Sequence, residues 1–431
     1  MEGVTLTLLA VSLILFFGFF AGWVFKRFNV PDILFLIILG FVIGPFVLNY
    51  VSPEELIKIA PVFTTFTLIF LLFDGAFNIS LSSLIREFSH SFILTIFNFI
   101  ISSIVVAIVM LFLGIWIGGF NFTLALLMGF ILGGVSSAFA IPILQQVKIG
   151  DKVYSLLMLE SALTDVFCIV FSLTVMEIIN LGGFGFKVTL VQLASLFAVA
   201  GLVGLLGGVI WIVLILKVFK EHNYMIAIAY LILIYVVAEF LGGNGAIAAL
   251  FFGIMLKNSR QLTSIIKGIL TTKAKEKKKA FKGELGVSVT TPSEQFFYHQ
   301  ISFFLKTFFF VYIGILIDIS DWRALVIGIV LSFILMVSRM ASLSLTKKMA
   351  PDNRSLVNSI FARGLAAAAI AQLAITAGIP NADFIGKIVY VTITGTIILS
   401  SIRVYLVKRR LSVATNKVIT KVEHTTARAA K

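Results

Sequence analysis

The stretch Leu159-Glu160-Ser161-Ala162-Leu163-Thr164-Asp165-Val166 places two carboxylates and two hydroxyls inside a segment that is otherwise hydrocarbon. Residues 153–158 and 166–179 on either side are almost continuously apolar, which predicts a membrane-spanning helix with acids in its interior. An ionisable group at that depth costs at least ~2.5–3.5 kcal/mol. One such acid is often neutralised or paired, but two acids with a Ser and a Thr between them favour a functional site.

Helix geometry separates these two acids. At 100° per residue, Glu160 and Asp165 point about 140° apart and do not share one face. Ser161 lies one turn before Asp165, and Thr164 lies one turn after Glu160, so each acid has its own hydroxyl neighbour. We therefore predict different roles for the two carboxylates.

The composition indicates a polytopic membrane protein. Of the 431 residues, 60% are hydrophobic and 13% are charged, with a mean hydropathy of +1.10. A soluble globule of this composition would expose most of its apolar surface to water. The net charge of +14 comes from basic residues between and after the apolar segments. These positions indicate membrane orientation and contact with anionic lipids, and we expect no binding to nucleic acid.

Cysteine and histidine usage limits other chemistry. Cys168 is the only cysteine, and the chain has four histidines, so we expect no disulfide framework, no metal cluster and no cofactor. An intramembrane protease is not expected either, because the histidines fall at span ends or in the tail; they are His90, His222, His299 and His424. The segment Met1-Glu2-Gly3 lacks a basic region, so the first apolar run is expected to be a retained helix and not a cleaved signal.

Apolar runs separated by short polar breaks predict an all-α fold of about thirteen transmembrane helices, each near the ~20 residues that a bilayer requires. The predicted spans are 3–25, 31–51, 58–78, 90–117, 122–144, 153–179, 187–218, 223–242, 244–257, 296–317, 322–346, 355–378 and 384–407. The whole transmembrane domain is 1–407. The polar segments outside it are a basic loop at 258–295 and a basic tail at 408–431, and we expect the tail to be mobile.

Lysine and arginine set the predicted orientation. The connections on one side carry most of the basic residues, and those on the other carry only Lys58, Lys187, Arg323 and Lys387. Basic connections stay on the cytoplasmic side. We predict an outside N-terminus, a cytoplasmic C-terminus, and a cytoplasmic loop and tail.

Thirteen spans divide as six, one and six, which predicts two inverted repeats, about 3–179 and 223–407, joined by a linker helix at 187–218. Spans five and twelve then correspond, and both contain interruptions. Span five has Gly133-Gly134-Val135-Ser136-Ser137, and span twelve has Arg363-Gly364 before a run of alanines. Unwound backbone lining a binding site and close packing of small residues both explain these interruptions.

Several charges are predicted to lie deep in the membrane. Counted at 1.5 Å per residue from the cytoplasmic ends, they converge on the middle of the bilayer; they are Glu160, Asp165, Arg363 and Lys306. Arg339 lies at a similar depth, and Asp74 lies close to the cytoplasmic face. Because unpaired buried charges are unfavourable, we predict that Glu160 pairs with Arg363. Asp165 is then free to exchange a proton for a monovalent cation.

These residues resemble the monovalent cation/proton antiporters of the NhaP and Kef type, from about residue 30 to residue 405. The matching motifs are Pro31-Asp32-Ile33-Leu34 to Gly44-Pro45, Leu72-Phe73-Asp74-Gly75, Gly133 to Ser137, Glu160-Ser161 to Thr164-Asp165, Gly245 to Leu250 with Gly253, Phe303 to Thr307 with Gly314, and Ala362-Arg363-Gly364-Leu365. The resemblance implies a dimerisation bundle beside a core domain with two crossed, broken helices. It also implies that Asp165 binds the ion and the proton, that Glu160 pairs with Arg363, and that the protein is a homodimer in the plasma membrane.

The sequence departs from that pattern at two places. The acid-bearing pair is Thr164-Asp165, where electroneutral sodium exchangers commonly have Asn-Asp and electrogenic ones Asp-Asp. The fifth span has Ser136-Ser137-Ala138-Phe139 in place of Thr-Asp-Pro, and sites of hydroxyl and carbonyl oxygens also suit potassium.

The expected function is therefore electroneutral sodium/proton antiport, with potassium/proton exchange or Kef-like potassium efflux as the alternative. A non-transporting membrane sensor or scaffold is the distant third interpretation. The expected site residues are Asp165, Ser161, Thr164, Ser136 and Ser137, with Asp74 and Lys306 as secondary candidates.

Overall fold

The structure is a computed structural model, and it describes residues 2–28, 31–51, 60–77, 90–117, 119–146, 151–181, 186–215, 224–270, 290–347 and 349–429, with the single residues Val218 and Ser288. These segments form helices in the following order: α1 (Glu2–Phe28), α2 (Asp32–Ile43), α3 (Ala60–Ala76), α4 (His90–Ile117), α5 (Phe122–Ile131), α6 (Ser137–Gln146), α7 (Asp151–Asn180), α8 (Phe186–Leu214), α9 (Tyr224–Phe240), α10 (Gly245–Lys257), α11 (Ser259–Leu270), α12 (Pro292–Leu316), α13 (Trp322–Ser338), α14 (Pro351–Ser359), α15 (Leu365–Thr376) and α16 (Ala382–Ala429). A 3₁₀ helix, Arg339–Ser344, continues α13.

The all-helical fold class is confirmed, since each predicted span contains a helix or a pair of half-helices. The span predicted at 31–51 is too long, because α2 ends at Ile43. Within the described residues, six segments are long and apolar enough to cross a membrane, and shorter apolar helices lie between them. The six segments are Ile93–Gly114, Leu156–Asn180, Ala194–Leu214, Pro292–Leu316, Trp322–Ser344 and Ala382–Arg410.

Polar residues at the helix starts explain where several helices begin. The side chain of Asn121 accepts a hydrogen bond from the amide of Leu124 at 2.9 Å and caps α5. At the start of α12, Thr291 and Glu294 form a reciprocal capping box. Both arrangements satisfy amides in the first helical turn, which have no partner within the helix.

Two polar segments differ from the predictions. The loop predicted at 258–295 begins with the strongly amphipathic helix α11, and the basic run 273–279 lies outside the described residues. The tail, predicted to be mobile, continues α16 to Ala429. No Gly or Pro interrupts residues 408–429, and a basic composition alone does not end a helix.

Glycines permit one especially close helix crossing, between α2 and α12. A Cβ on Gly40 would lie 2.0 Å from the carbonyl oxygen of Val311, and a Cβ on Gly314 would lie 2.2 Å from that of Ile37. Small residues of this kind let membrane helices approach backbone to backbone. The crossing fixes α12, which carries Lys306, against α2, which begins at Asp32.

Buried apolar side chains form two clusters. The larger surrounds the broken helices and includes Leu127, Ile169, Ile370 and Val389. The smaller lies among α3, α8, α9, α10 and the first half of α12, and it is rich in aromatic rings such as Phe73, Trp211 and Phe252. Buried apolar residues of α7, the helix that carries Glu160 and Asp165, belong to the larger cluster.

Candidate functional site

Two helices are interrupted where the sequence has its glycine motifs. Between α5 and α6, residues 132–136 leave the helix, and between α14 and α15, residues 360–364 do so. Gly364 allows the second interruption to pack closely on Ser136, and Gly134 allows the first interruption to pack closely on α7. A Cβ on Gly364 would lie 2.0 Å from Oγ of Ser136, and one on Gly134 would lie 2.7 Å from the carbonyl oxygen of Thr164.

The two interruptions touch each other. The amide of Ser136 donates a hydrogen bond to the carbonyl of Ala362 at 2.8 Å. The guanidinium of Arg363 donates to the carbonyl of Gly134. Unwound backbone at membrane depth requires partners inside the protein, and here each break supplies partners to the other.

Asp165 lies beside this crossing. Its side chain belongs to α7 and is buried, with 8% of the residue exposed. Oδ2 accepts a hydrogen bond from the amide of Ser137 at 3.1 Å and another from the Ser137 hydroxyl. Ser137 is the first residue of α6, so the carboxylate faces the positive end of that helix dipole. No ion pair reaches Asp165 from the described part of the chain.

The other predicted hydroxyls frame Asp165. Oγ1 of Thr164 accepts a hydrogen bond from the amide of Val135 at 3.0 Å and holds the first break against α7. The hydroxyl of Ser161 donates to the carbonyl of Met158 at 3.1 Å, within its own helix. Ser136 contacts the second break through its backbone and through its packing on Gly364.

The predicted ion pair between Glu160 and Arg363 is wrong. Glu160, 1% exposed, is held by both terminal nitrogens of Arg339, with Nη2 of Arg339 and Oε2 of Glu160 2.9 Å apart. Nδ2 of Asn98 adds a hydrogen bond to the same carboxylate at 2.8 Å. The estimated membrane depth is similar for Arg339 and Arg363, so depth could not predict which of them binds Glu160. The 3₁₀ turn after α13 brings Arg339 to Glu160, and the carbonyl of Val357 accepts from Nε and Nη2 of Arg339 at 3.1 and 2.9 Å.

Arg363 is a backbone-binding residue in this structure. It is 2% exposed, and its guanidinium contacts the carbonyl of Gly134. Its own amide donates to Oγ1 of Thr396 at 3.0 Å. Arg363 therefore joins both breaks and places its positive charge at their crossing.

The secondary candidates lie away from Asp165 in pairs of their own. Nζ of Lys306 is 2.9 Å from Oδ2 of Asp32 at the start of α2. Nδ1 of His299 lies 2.9 Å from Oδ1 of Asp74, which is within ion-pair distance. The relative orientation of the two groups does not form a hydrogen bond to Oδ1. Both pairs belong to helices that flank the broken ones.

Two partners in these ion pairs and hydrogen bonds, Asn98 and Asp32, have no sequence pattern that predicts their role. Asn98 is a lone amide in the apolar span of α4, and such a residue signals a buried polar partner. Asp32 directly follows Pro31 at the start of a span, where an acid is also favoured by the helix dipole alone. The signal in both cases was a single polar residue, with nothing in the chain to name its partner.

A cavity of about 320 Å³ lies further along α7, toward its C-terminal end. Its lining includes Leu173 and Met176 of α7, together with the carboxylates of Glu177 and Glu239. Leu173 lies about 12 Å beyond Asp165 along the helix axis. Oε1 of Glu239 also accepts a hydrogen bond from the amide of Gly245 at 2.8 Å and so caps α10.

The chain is similar to proteins of one transmembrane family. The family model described as sodium/hydrogen exchanger, transmembrane, matches residues 13–408. The chain is 28% identical over 159 residues to the probable Na⁺/H⁺ antiporter 3 of Methanocaldococcus jannaschii, an alignment that covers 37% of this chain and 39% of that protein. It is 23% identical over 265 residues to the K⁺/H⁺ antiporter NhaP of Alkalimonas amylolytica, covering 60% of this chain and 45% of that protein. The chain thus spans less than half the length of these curated relatives.

A solved structure shares the fold. The sodium proton antiporter MjNhaP1 of Methanocaldococcus jannaschii at pH 8 superposes with a TM-score of 0.70, over 94% of this chain and 98% of that chain. Sequence identity in this superposition is 21%. The likeness therefore shows a common helical architecture, and the chemistry must be argued from this chain's own residues.

Proposed function

Because this chain belongs to the sodium/hydrogen exchanger family, a family of membrane transporters and not of enzymes, we propose that it exchanges a monovalent cation for a proton at Asp165. One observation carries the proposal. Asp165 is a buried carboxylate at the crossing of two broken helices, and no basic side chain forms an ion pair with it in the described residues. The neighbouring acid, Glu160, is held by Arg339.

The exchange follows from competition for one carboxylate. The amide and hydroxyl of Ser137 both bond Oδ2 of Asp165, so Oδ1 is the atom assigned to the proton or the cation. A cation that reaches the deprotonated carboxylate displaces the proton, and a proton displaces the cation, by mass action. The Ser137 hydroxyl and backbone carbonyls at the breaks complete the proposed site, while Ser136, Ser161 and Thr164 fix its shape.

Alternating access is part of the proposal. The 320 Å³ cavity with Glu177 and Glu239 lies on one side of Asp165 along α7, and we assign it to the outer access route. The matched breaks in spans five and twelve are those expected of inverted repeats. The proposed orientation keeps the N-terminus outside and the basic C-terminal segment in the cytoplasm, in the plasma membrane.

Sodium is the proposed ion. MjNhaP1, whose fold the chain shares, is described as a sodium proton antiporter. Potassium is the second candidate, because the first break has Ser136 and Ser137 and no acid, and because a relative is described as a K⁺/H⁺ antiporter. Hydroxyl and carbonyl oxygens bind potassium as readily as sodium.

We propose electroneutral exchange, one cation for one proton. Glu160 is paired with Arg339, and Lys306 is paired with Asp32, which leaves Asp165 as the acid that changes its proton. A homodimer is the proposed assembly, with lipid against the exposed apolar faces of α1 and α8. Examples on these faces are Phe16, Phe19, Leu202 and Leu206.

Reconstitution tests the proposed function. Purified protein in liposomes containing a pH-sensitive dye should collapse an imposed proton gradient when sodium is added, and the same titration with potassium ranks the two ions. A wild-type protein that dissipates the gradient with neither ion would contradict the proposal.

A further inference from the structure

Three hydroxyl residues form a stripe on α16. Thr392, Thr396 and Ser400 are spaced four apart and lie on one helix face, and each is 0% exposed. All three belong to an otherwise apolar membrane-spanning segment. These three hydroxyls form a buried polar stripe inside the membrane domain, and none of them belongs to the predicted site.

The stripe meets the backbone of the second break. Oγ1 of Thr396 accepts a hydrogen bond from the amide of Arg363 at 3.0 Å and donates to the carbonyl of Thr392 at 2.9 Å. Oγ of Ser400 accepts from the amide of Phe361 at 3.4 Å and donates to the carbonyl of Ser359. These are backbone groups that an interrupted helix leaves without helical partners.

The anchored residues flank the group that contacts the first break. Ala362 lies between Phe361 and Arg363, and its carbonyl accepts from the amide of Ser136 at 2.8 Å. The next residue, Ser137, bonds Asp165 through its amide and its hydroxyl. Hydrogen bonds and the short backbone segments between them therefore connect α16 to the carboxylate.

Helix α16 is also fixed to α13, in part through the stripe itself, since the Thr392 hydroxyl lies 3.3 Å from the carbonyl of Gly328. The hydroxyl of Ser332 lies 2.8 Å from the carbonyl of Gly328 and 3.3 Å from that of Thr392. A Cβ on Gly395 would lie 2.4 Å from Oγ of Ser332, so these helices approach closely. The packing against α13 therefore fixes the position of the stripe.

We infer that Thr396 and Ser400 are positioning residues for the exchange site. They hold the backbone of the second break in place. The Ala362 carbonyl and the Arg363 guanidinium of that break in turn hold the first break, so that Ser137 stays in contact with Asp165. The inference rests on the proposed function, since positioning matters to transport only if Asp165 is the exchange site.

The chain offers matched controls for a test in proteoliposomes. Thr396→Val keeps the side-chain shape and removes the hydroxyl, whereas Thr396→Ser keeps the hydroxyl. Thr394 is on the same helix, and its hydroxyl donates within α16, to the carbonyl of Tyr390 at 3.0 Å. We expect Thr396→Val to raise the KM for the cation about tenfold and to shift the pH midpoint of exchange, an effect of the size of one buried hydrogen bond. Thr396→Ser should restore the wild-type profile, and Thr394→Val should leave it unchanged.

Ser400→Ala provides the second variant, with Ser401→Ala as its control, because the Ser401 hydroxyl donates within α16 to the carbonyl of Ile397 at 2.6 Å. Hydrogen–deuterium exchange over residues 359–364 should be faster in Ser400→Ala than in Ser401→Ala. This measurement carries the test if Thr396→Val does not fold. Unchanged KM, pH midpoint and amide exchange in the folded variants would overturn the inference. An inactive wild-type protein would instead contradict the proposed function.

Discussion

Arg339 and Glu160 form an ion pair in the protein interior, with both terminal nitrogens of Arg339 on the Glu160 carboxylate. Glu160 lies five residues before Asp165 on α7. The pair fixes one buried acid as a structural anion. It also connects α7 to the 3₁₀ turn after α13 and, through the carbonyl of Val357, to α14. The helix that carries the proposed exchange site is thereby attached to the half-helix that leads into the second break.

Asp165→Asn should abolish exchange while the protein still folds, because an amide cannot take up and release the proton. The amide also keeps the shape and the hydrogen-bonding capacity that Ser137 requires. The measurement is cation-dependent dye recovery in proteoliposomes, with size-exclusion chromatography as the folding check. Cys168→Ser, one turn further along α7, is the control and should retain exchange. Substantial activity in Asp165→Asn would remove Asp165 from the mechanism.

Glu160→Ala and Arg339→Ala should each lower the free energy of unfolding by about 3–5 kcal/mol, since each leaves a buried charge without its partner. The double variant should be less destabilised than the sum of the two single variants. Thermal unfolding in detergent provides the comparison. Additive losses would show that the two side chains do not interact in solution, and a larger coupling of Glu160 to Arg363 would restore the pairing predicted from sequence.

Gly364→Ala should reduce both thermal stability and exchange. The new Cβ would lie 2.0 Å from Oγ and 2.5 Å from Cβ of Ser136, and overpacking of this kind typically costs about 1–3 kcal/mol. Gly22→Ala is the matched control, because a Cβ there has no neighbour within 4 Å among the described residues. Equal behaviour of the two variants would contradict the close crossing of the breaks.

Exchange by the wild-type protein should carry no net charge. Solid-supported-membrane recordings should show no sustained transport current, and cation-driven pH changes should be insensitive to an imposed membrane potential. Lys306→Met should lower thermal stability, because it breaks the ion pair between Nζ of Lys306 and Oδ2 of Asp32, which are 2.9 Å apart. The same variant should not produce a transport current. A wild-type current that grows with cation concentration and is lost in Asp165→Asn would show that each cycle moves net charge and would contradict one-for-one exchange.

Asp318, between α12 and α13, gives a pH-dependent contribution to stability. Burial alone would raise the pKa of its carboxyl, but hydrogen bonds from Lys387 and from the Ser320 amide bring the pKa below the usual 3.8. A lowered folded-state pKa stabilises the protein above the unfolded-state pKa, and this contribution is lost as the pH falls through the folded-state value. Asp318→Asn should therefore lower Tm slightly at pH 7, and the difference should shrink below about pH 4. A difference that grows in acid would contradict the pairing with Lys387.

Sequence patterns located the helices because hydrophobic length is a local property. The span predicted at 90–117 has the bounds of α4, His90–Ile117, and the short helix predicted after Gly243 is α10. The glycine motifs in spans five and twelve lie where the helices are interrupted, although close packing of small residues explained those motifs equally well. Each of these features is determined by neighbours along the chain.

Partner choice was harder to predict, because it depends on where whole helices lie. Arg339 and Arg363 have nearly the same estimated depth, and only the 3₁₀ turn after α13 decides which of them reaches Glu160. Thr396 and Ser400 gave a weak signal, a spacing of four that is also common in ordinary helix packing. Their role requires knowing which helix packs behind the second break.

Cys168 donates through Sγ to the carbonyl of Ile131 at 3.1 Å and is 1% exposed. It is also the chain's only cysteine, so the natural protein offers a single, shielded thiol. A cysteine introduced at an exposed position such as Phe16 or Phe240 would then be the one that spin labels or fluorophores modify. Distances between such labels, measured with and without cation, would test the proposed alternating access in a chain whose native cysteine stays in place.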